Sequence, residues 1–161
     1  MKHEFIKDLP NGRLQVNRAF AAPLSAVWRA WTEAELLEKW WAPQPWTAVT
    51  KSMNFAVGGR WHYYMAGPEG EKHWTFMDYL EIRPQTFLKT EDGFCDEDGN
   101  VTASELTSVW EIHFVQEGEQ TTVKITMQYA NEQALRQVVE MGMEEGFTMG
   151  LNQLENLLQH G

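Results

Sequence analysis

The chain has 161 residues, 43% of them hydrophobic and 12% aromatic, with eight Trp, eight Phe and four Tyr. That length and apolar content suit a single domain spanning 1–161 with a sizeable core. Thirteen Lys and Arg against 23 Asp and Glu leave a formal net charge of -10, a surface that repels phosphate backbones and anionic headgroups, so nucleic acid and membrane are not expected partners.

No apolar run approaches membrane-spanning length, and the start Met1-Lys2-His3-Glu4-Phe5 has no apolar leader, so a cytoplasmic protein is expected. The one cysteine, Cys95, has no partner for an internal disulfide. Its acidic neighbours Glu91, Asp92, Asp96, Glu97 and Asp98 disfavour the thiolate, which makes it an inert strand-end residue.

In chain order, Leu14, Val16 and Phe20 follow the turn signal Pro10-Asn11-Gly12 and predict a first strand over about 13–21. Pro23 ends it. Leu24, Val27, Trp28 and Trp31 then recur at helical spacing, predicting a short helix. Thr32 with Glu35 forms a capping box for a second, whose buried side carries Leu36, Leu37, Trp40 and Trp41 before Pro43 and Pro45 stop it.

From Trp46 to Tyr129 the pattern is strand after strand, punctuated by Val57-Gly58-Gly59, Gly67-Pro68-Glu69-Gly70, Arg83-Pro84, Glu97-Asp98-Gly99-Asn100 and Glu117-Gly118-Glu119. Trp61, Tyr63 and Met65 share one face, as do Trp110, Ile112 and Phe114, and Val123, Ile125, Met127 and Tyr129, which describes a meander with one dry side. Pairing Met65 with Lys72 across the Gly67–Gly70 turn puts Tyr64 near His73 and His62 near Thr75. His62, Tyr64, Glu111 and His113 then fall on the opposite, solvated face. Asn131 caps a last, long helix carrying Leu135, Val138, Val139, Met143, Phe147, Leu151, Leu154 and Leu158. Gly142, Gly146 and Gly150 interrupt its apolar side. Each Gly costs about 1 kcal/mol relative to Ala, so close approach of the sheet or room for a guest is implied.

Chemical signatures are sparse. The five His show no paired ligand spacing, and the Asp96–Asn100 turn has Thr107 where a calcium loop needs its final Glu, so neither metal nor cofactor is called for. There is no nucleophile elbow, phosphate loop or dinucleotide fingerprint.

The segments Phe20-Ala21-Ala22-Pro23, Val27-Trp28-Arg29-Ala30-Trp31-Thr32, Trp40-Trp41-Ala42-Pro43, Gly58-Gly59-Arg60-Trp61, Tyr79-Leu80-Glu81-Ile82, Phe94–Asn100 and Gly142-Met143-Glu144-Glu145-Gly146 resemble the START-like (SRPBCC) superfamily. Within it, the chain is similar to the group of the C-terminal domain of the activator of the heat-shock-protein-90 ATPase. The resemblance implies an α+β helix-grip fold: a curved antiparallel sheet wrapped around a long C-terminal helix, with two short helices after the first strand. It also implies an internal apolar cavity for a hydrophobic small molecule. Candidate lining residues are Trp61, Tyr63, Trp110, Ile112 and Phe114 on strands, Trp74 and Phe76 beside them, Met143, Gly146 and Phe147 on the helix, and Trp41 and Trp46 at the mouth. The leading reading is a binding protein. A cyclase- or hydrolase-like enzyme using Tyr63 or His113 as the acid-base group is the alternative, as is a chaperone-facing module. The last is doubtful because the separate N-terminal domain of the eukaryotic co-chaperone is not seen. Rings near Trp40, Trp41 and Trp46 could instead seal a homodimer.

Overall fold

A computed structural model of the chain describes residues His3–His160. Its strands are β1 His3–Asp8, β2 Arg13–Phe20, β3 Thr47–Met53, β4 Arg60–Ala66, β5 Lys72–Arg83, β6 Phe87–Phe94, β7 Ser108–Glu117 and β8 Gln120–Tyr129. Helices α1 (Leu24–Thr32) and α2 (Ala34–Trp40) separate β2 from β3, a short 3-10 turn (Ser104–Leu106) precedes β7, and α3 (Glu132–Glu140) and α4 (Met143–His160) follow β8. The strands make one sheet, ordered β1-β2-β8-β7-β6-β5-β4-β3, antiparallel at every step. This is the α+β helix-grip arrangement. Pairing is irregular between Thr50 and Ser52 on β3 and between Tyr79 and Glu81 on β5, and such bulges bend a strand and increase its twist.

Four sequence expectations are corrected here. The strand expected first is second: His3–Asp8 forms β1, paired to β2 with Phe5 opposite Val16. It escaped notice because it is an edge strand with neither face fully buried, so its apolar residues do not alternate. The capping box does not form. Thr32 still belongs to α1, where its Oγ1 donates to Trp28 O at 2.8 Å, and Glu33 occupies the N-cap of α2; back-bonding of this kind competes with capping. The long last helix is two. Asn131 does cap α3, accepting from Ala134 N at 2.8 Å, but Gly142 takes φ +88°, a left-handed conformation that ends one helix before the next begins. Finally, the β4–β5 register is one residue off: Met65 pairs with His73, Tyr64 with Trp74, Tyr63 with Thr75 and His62 with Phe76.

One face of the sheet is concave and dry. Leu14, Val16, Trp61, Tyr63, Met77, Trp110, Ile112, Val123, Ile125 and Met127 are buried there in one cluster with Val27, Trp31, Leu37 and Trp40 of α1 and α2 and Leu151 and Leu154 of α4. Burying large side chains of this kind contributes roughly 1.5–3 kcal/mol each. The opposite, convex face of β4 and β5 is covered by the loop after β6. Asp96 O lies 3.1 Å from His62 Nε2, Lys51 Nζ donates to Glu97 O at 2.7 Å, and Arg60 Nη1 donates to Gly99 O at 2.6 Å. His62 thus sits on the face expected, yet is buried by this loop rather than solvated.

Candidate functional site

The concave face has an aromatic half and a polar end. Trp41, at the exit of α2, is the hub of the aromatic half. Its ring centroid lies 5.7 Å from Trp31, 5.2 Å from Trp40, 5.9 Å from both Trp61 and Trp110, and 6.1 Å from Phe147. Its Nε1 donates to Tyr63 Oη at 2.7 Å, and Trp61 stacks on Tyr63 at 3.7 Å. Five candidates, Trp41, Trp61, Tyr63, Trp110 and Phe147, are therefore brought together. Ile112 and Phe114 share their face, Phe114 meeting Trp28 and Trp31 edge-on. These rings pack against one another as a connected aromatic cluster.

The remaining candidates lie elsewhere. Trp74 and Phe76 alternate with Thr75 and Met77 on β5 and so project from the convex face. There Arg60 lies over the Phe76 ring at 4.5 Å and Tyr64 meets Trp74 at 4.7 Å, which removes both from any concave-face site. The sequence pattern misled because Phe76 is buried, but by the loop after β6 rather than by the core. Trp46 packs against His73 at 4.9 Å, at the far end of β5. A Cβ on Gly146 would meet Pro43 Cγ at 3.6 Å, so this glycine faces a loop. Met143, half-buried, packs at the edge of the core. His113 is exposed on the convex side against Phe87 at 4.7 Å, and Tyr63 is a hydrogen-bond acceptor in the packed core, so neither presents an acid-base group to a guest. Trp40 and Trp41 are buried, so of the three rings considered for a dimer contact Trp46 alone keeps partial exposure.

The polar end was missed. On β6 the inward positions are Leu88, Thr90, Asp92 and Phe94; Asp92 stands opposite Met77 on β5 and Ser108 on β7. Thr90 Oγ1 donates to Asp92 Oδ1 at 2.6 Å, and Trp110 Nε1 donates to Ser108 Oγ at 2.9 Å. Burial, with the like charges of Asp78 and Glu91, pushes the Asp92 carboxyl up to about 8 despite the bond from Thr90. Three tyrosines feel that carboxyl. Tyr63 and Tyr79 are raised well above the usual phenol range, and Tyr129 is pushed up to about 12, each chiefly by burial. Tyr79 is fully buried, yet its hydroxyl has no hydrogen-bond partner. Asp92 itself is only half-buried, while the residues around it are buried. The signal available in the sequence was parity: a carboxylate at an inward position of a strand.

A separate groove of about 800 Å³ runs along the outside of α4 between Lys39, Gln44, Asn152, Gln153 and His160. It is lined by none of the candidates. Among the described residues no three His, Cys or carboxylate side chains converge as a metal site, and no helix is long and apolar enough to cross a membrane.

Comparison with known proteins follows the same lines. The profile of the family described as activator of Hsp90 ATPase homolog 1-like protein matches residues 21–159. No functionally curated protein matches the sequence. Among solved structures, the chain is similar to protein Ms6760 of Mycobacterium smegmatis, with 30% identity over 98% of this chain and 97% of that one and a TM-score of 0.89. A protein of Arthrobacter aurescens, solved by NMR, gives 28% identity over 98% and 92% of the two chains and a TM-score of 0.91. The AHSA1 protein of Silicibacter pomeroyi, at 18% identity over 91% and 97% and a TM-score of 0.72, shares the fold. With the sheet, the helix order and this match in hand, the chain belongs to the activator of Hsp90 ATPase homolog 1-like family of START-like proteins.

Proposed function

We propose that the protein binds an apolar small molecule against the polar end of its concave face, beside Asp92. The observation that carries this reading is the contrast in burial there. Tyr63, Tyr79, Thr90, Ser108, Trp110 and Tyr129 are all buried, while Asp92 among them is only half-buried. Apolar walls with a few converging polar groups are the ordinary anatomy of a small-molecule site. The unpartnered Tyr79 hydroxyl supports it further, because a buried hydroxyl without a partner costs about 1–3 kcal/mol that a ligand heteroatom would recover.

Trp41, Trp61 and Trp110 pack against one another beside this site. The test is native mass spectrometry of the protein with 2-naphthylmethanol, a ring with one hydroxyl. Saturable uptake of one molecule, weakened by Tyr79→Phe, is expected. No uptake by protein that instead co-sediments with a chaperone middle domain would replace this reading with the interaction role named in the family's description.

A further inference from the structure

The reading above leaves the ligand's chemistry open, and the charges around Asp92 narrow it. Among the described residues, Thr90 is the hydrogen-bond partner of Asp92, and no Lys, Arg or His pairs with it. The nearest cation on β4, Arg60, is already engaged on the convex side, with Nε 2.5 Å from Asp78 Oδ1. Tyr79 on the adjoining strand β5, and Tyr63 on β4 and Tyr129 on β8, each two strands away, are the phenols that feel the Asp92 charge, while Asp78 and Glu91 add only negative potential. The whole chain carries -10. A carboxyl so placed lacks a positive partner, and a carboxylate ligand brought beside it would add a second negative charge in a poorly solvated space.

Resting on the small-molecule reading, we propose that Asp92 is the anchor of the site and selects apolar ligands that carry an amine over those that carry a carboxylate, with the Tyr79 hydroxyl as the second polar contact. An ammonium group supplies the missing positive partner, and in binding it displaces the proton held by Asp92, which leaves to solvent. The ligand keeps its charge, and the carboxyl becomes a carboxylate paired with it. Amine binding is therefore coupled to proton release. Neutral ligands of the same shape bind without it.

The experiment is calorimetric titration of the full chain with three probes sharing one ring: 2-naphthylmethylamine, 2-naphthylmethanol and 2-naphthoic acid. The amine is expected to bind about tenfold or more tightly than the alcohol, and the acid most weakly. Because Asp92 holds its proton below about 8, amine affinity rises about tenfold between about pH 6 and about pH 7, while alcohol affinity stays level. Asp92→Asn, nearly isosteric, should bring the amine down to the alcohol and leave the alcohol unchanged. Equal binding of amine and alcohol, a preference for the acid, or an amine preference that survives Asp92→Asn overturns the assignment while leaving the binding function standing. If none of the three binds, the function itself fails and the assignment with it. Should Asp92→Asn not fold, the pH dependence of the wild-type amine-to-alcohol ratio decides.

Discussion

At the scale of single residues, Asp92 and Tyr63 show how the same sheet face serves packing and chemistry. The Asp92 carboxyl is pushed from 3.8 up to about 8, so the native chain holds a proton that the unfolded chain gives up. Its contribution to stability is complete below about pH 4 and is lost as pH rises toward 8. Asp92→Asn does not titrate, so the variant should gain on wild type across that window, the gain growing as pH rises toward 8 in denaturant unfolding. Tyr63→Phe removes the acceptor of Trp41 Nε1 and leaves a buried N–H unpaired, which should cost about 1–3 kcal/mol in the same assay. The tyrosine was legible because Trp61, Tyr63 and Met65 alternate cleanly. Asp92 was not, because it stands among Glu91, Asp96, Glu97 and Asp98, and an acidic run reads as solvated surface unless strand parity is followed through it.

At the scale of elements, the glycines of α4 separate propensity from packing. Gly146 has room, since a Cβ there would meet Pro43 Cγ at 3.6 Å, whereas a Cβ on Gly150 would meet the Trp40 carbonyl oxygen at 3.1 Å. That oxygen also accepts from Gln153 Nε2 at 3.0 Å, which leaves it little freedom to give way. Thermal unfolding should therefore show Gly146→Ala stabilised by up to about 1 kcal/mol, the helix-propensity gain, and Gly150→Ala destabilised. Of the two reasons the sequence suggested for these glycines, close approach holds at Gly150, where the helix meets the end of α2. Room for a guest does not hold at Gly146. Asn131→Ala should cost about 1 kcal/mol through loss of the α3 cap. The cap was readable because Asn131 precedes an apolar helical pattern. The break at Gly142 was not, because the pattern runs on from α3 into α4 with Met143 and Phe147 in phase, and only the backbone angle reveals the stop.

At the scale of the whole molecule, the order of strands and helices was legible from periodicity and turn residues, and it places α4 across a dry concave face. Which rings fill that face and which lie behind it was not legible. The loop from Asp96 to Thr107 folds back over β4 and β5 and buries Phe76 and His62, a long-range contact that leaves no local periodicity. Nor does a count of aromatic residues reveal whether they enclose space or occupy it. Here Trp41 meets five rings within about 6 Å, and the proposed place for a ligand is the half-buried Asp92 at the polar end of the face. Backbone amide NMR during titration with 2-naphthylmethanol tests that placement. Saturable shifts concentrated at Tyr79, Thr90, Asp92, Ser108 and Tyr129 are expected, with Trp74 and Phe76 on the convex face undisturbed. Shifts confined to the convex face or to the outer groove of α4, or no shifts at saturating probe, would contradict it.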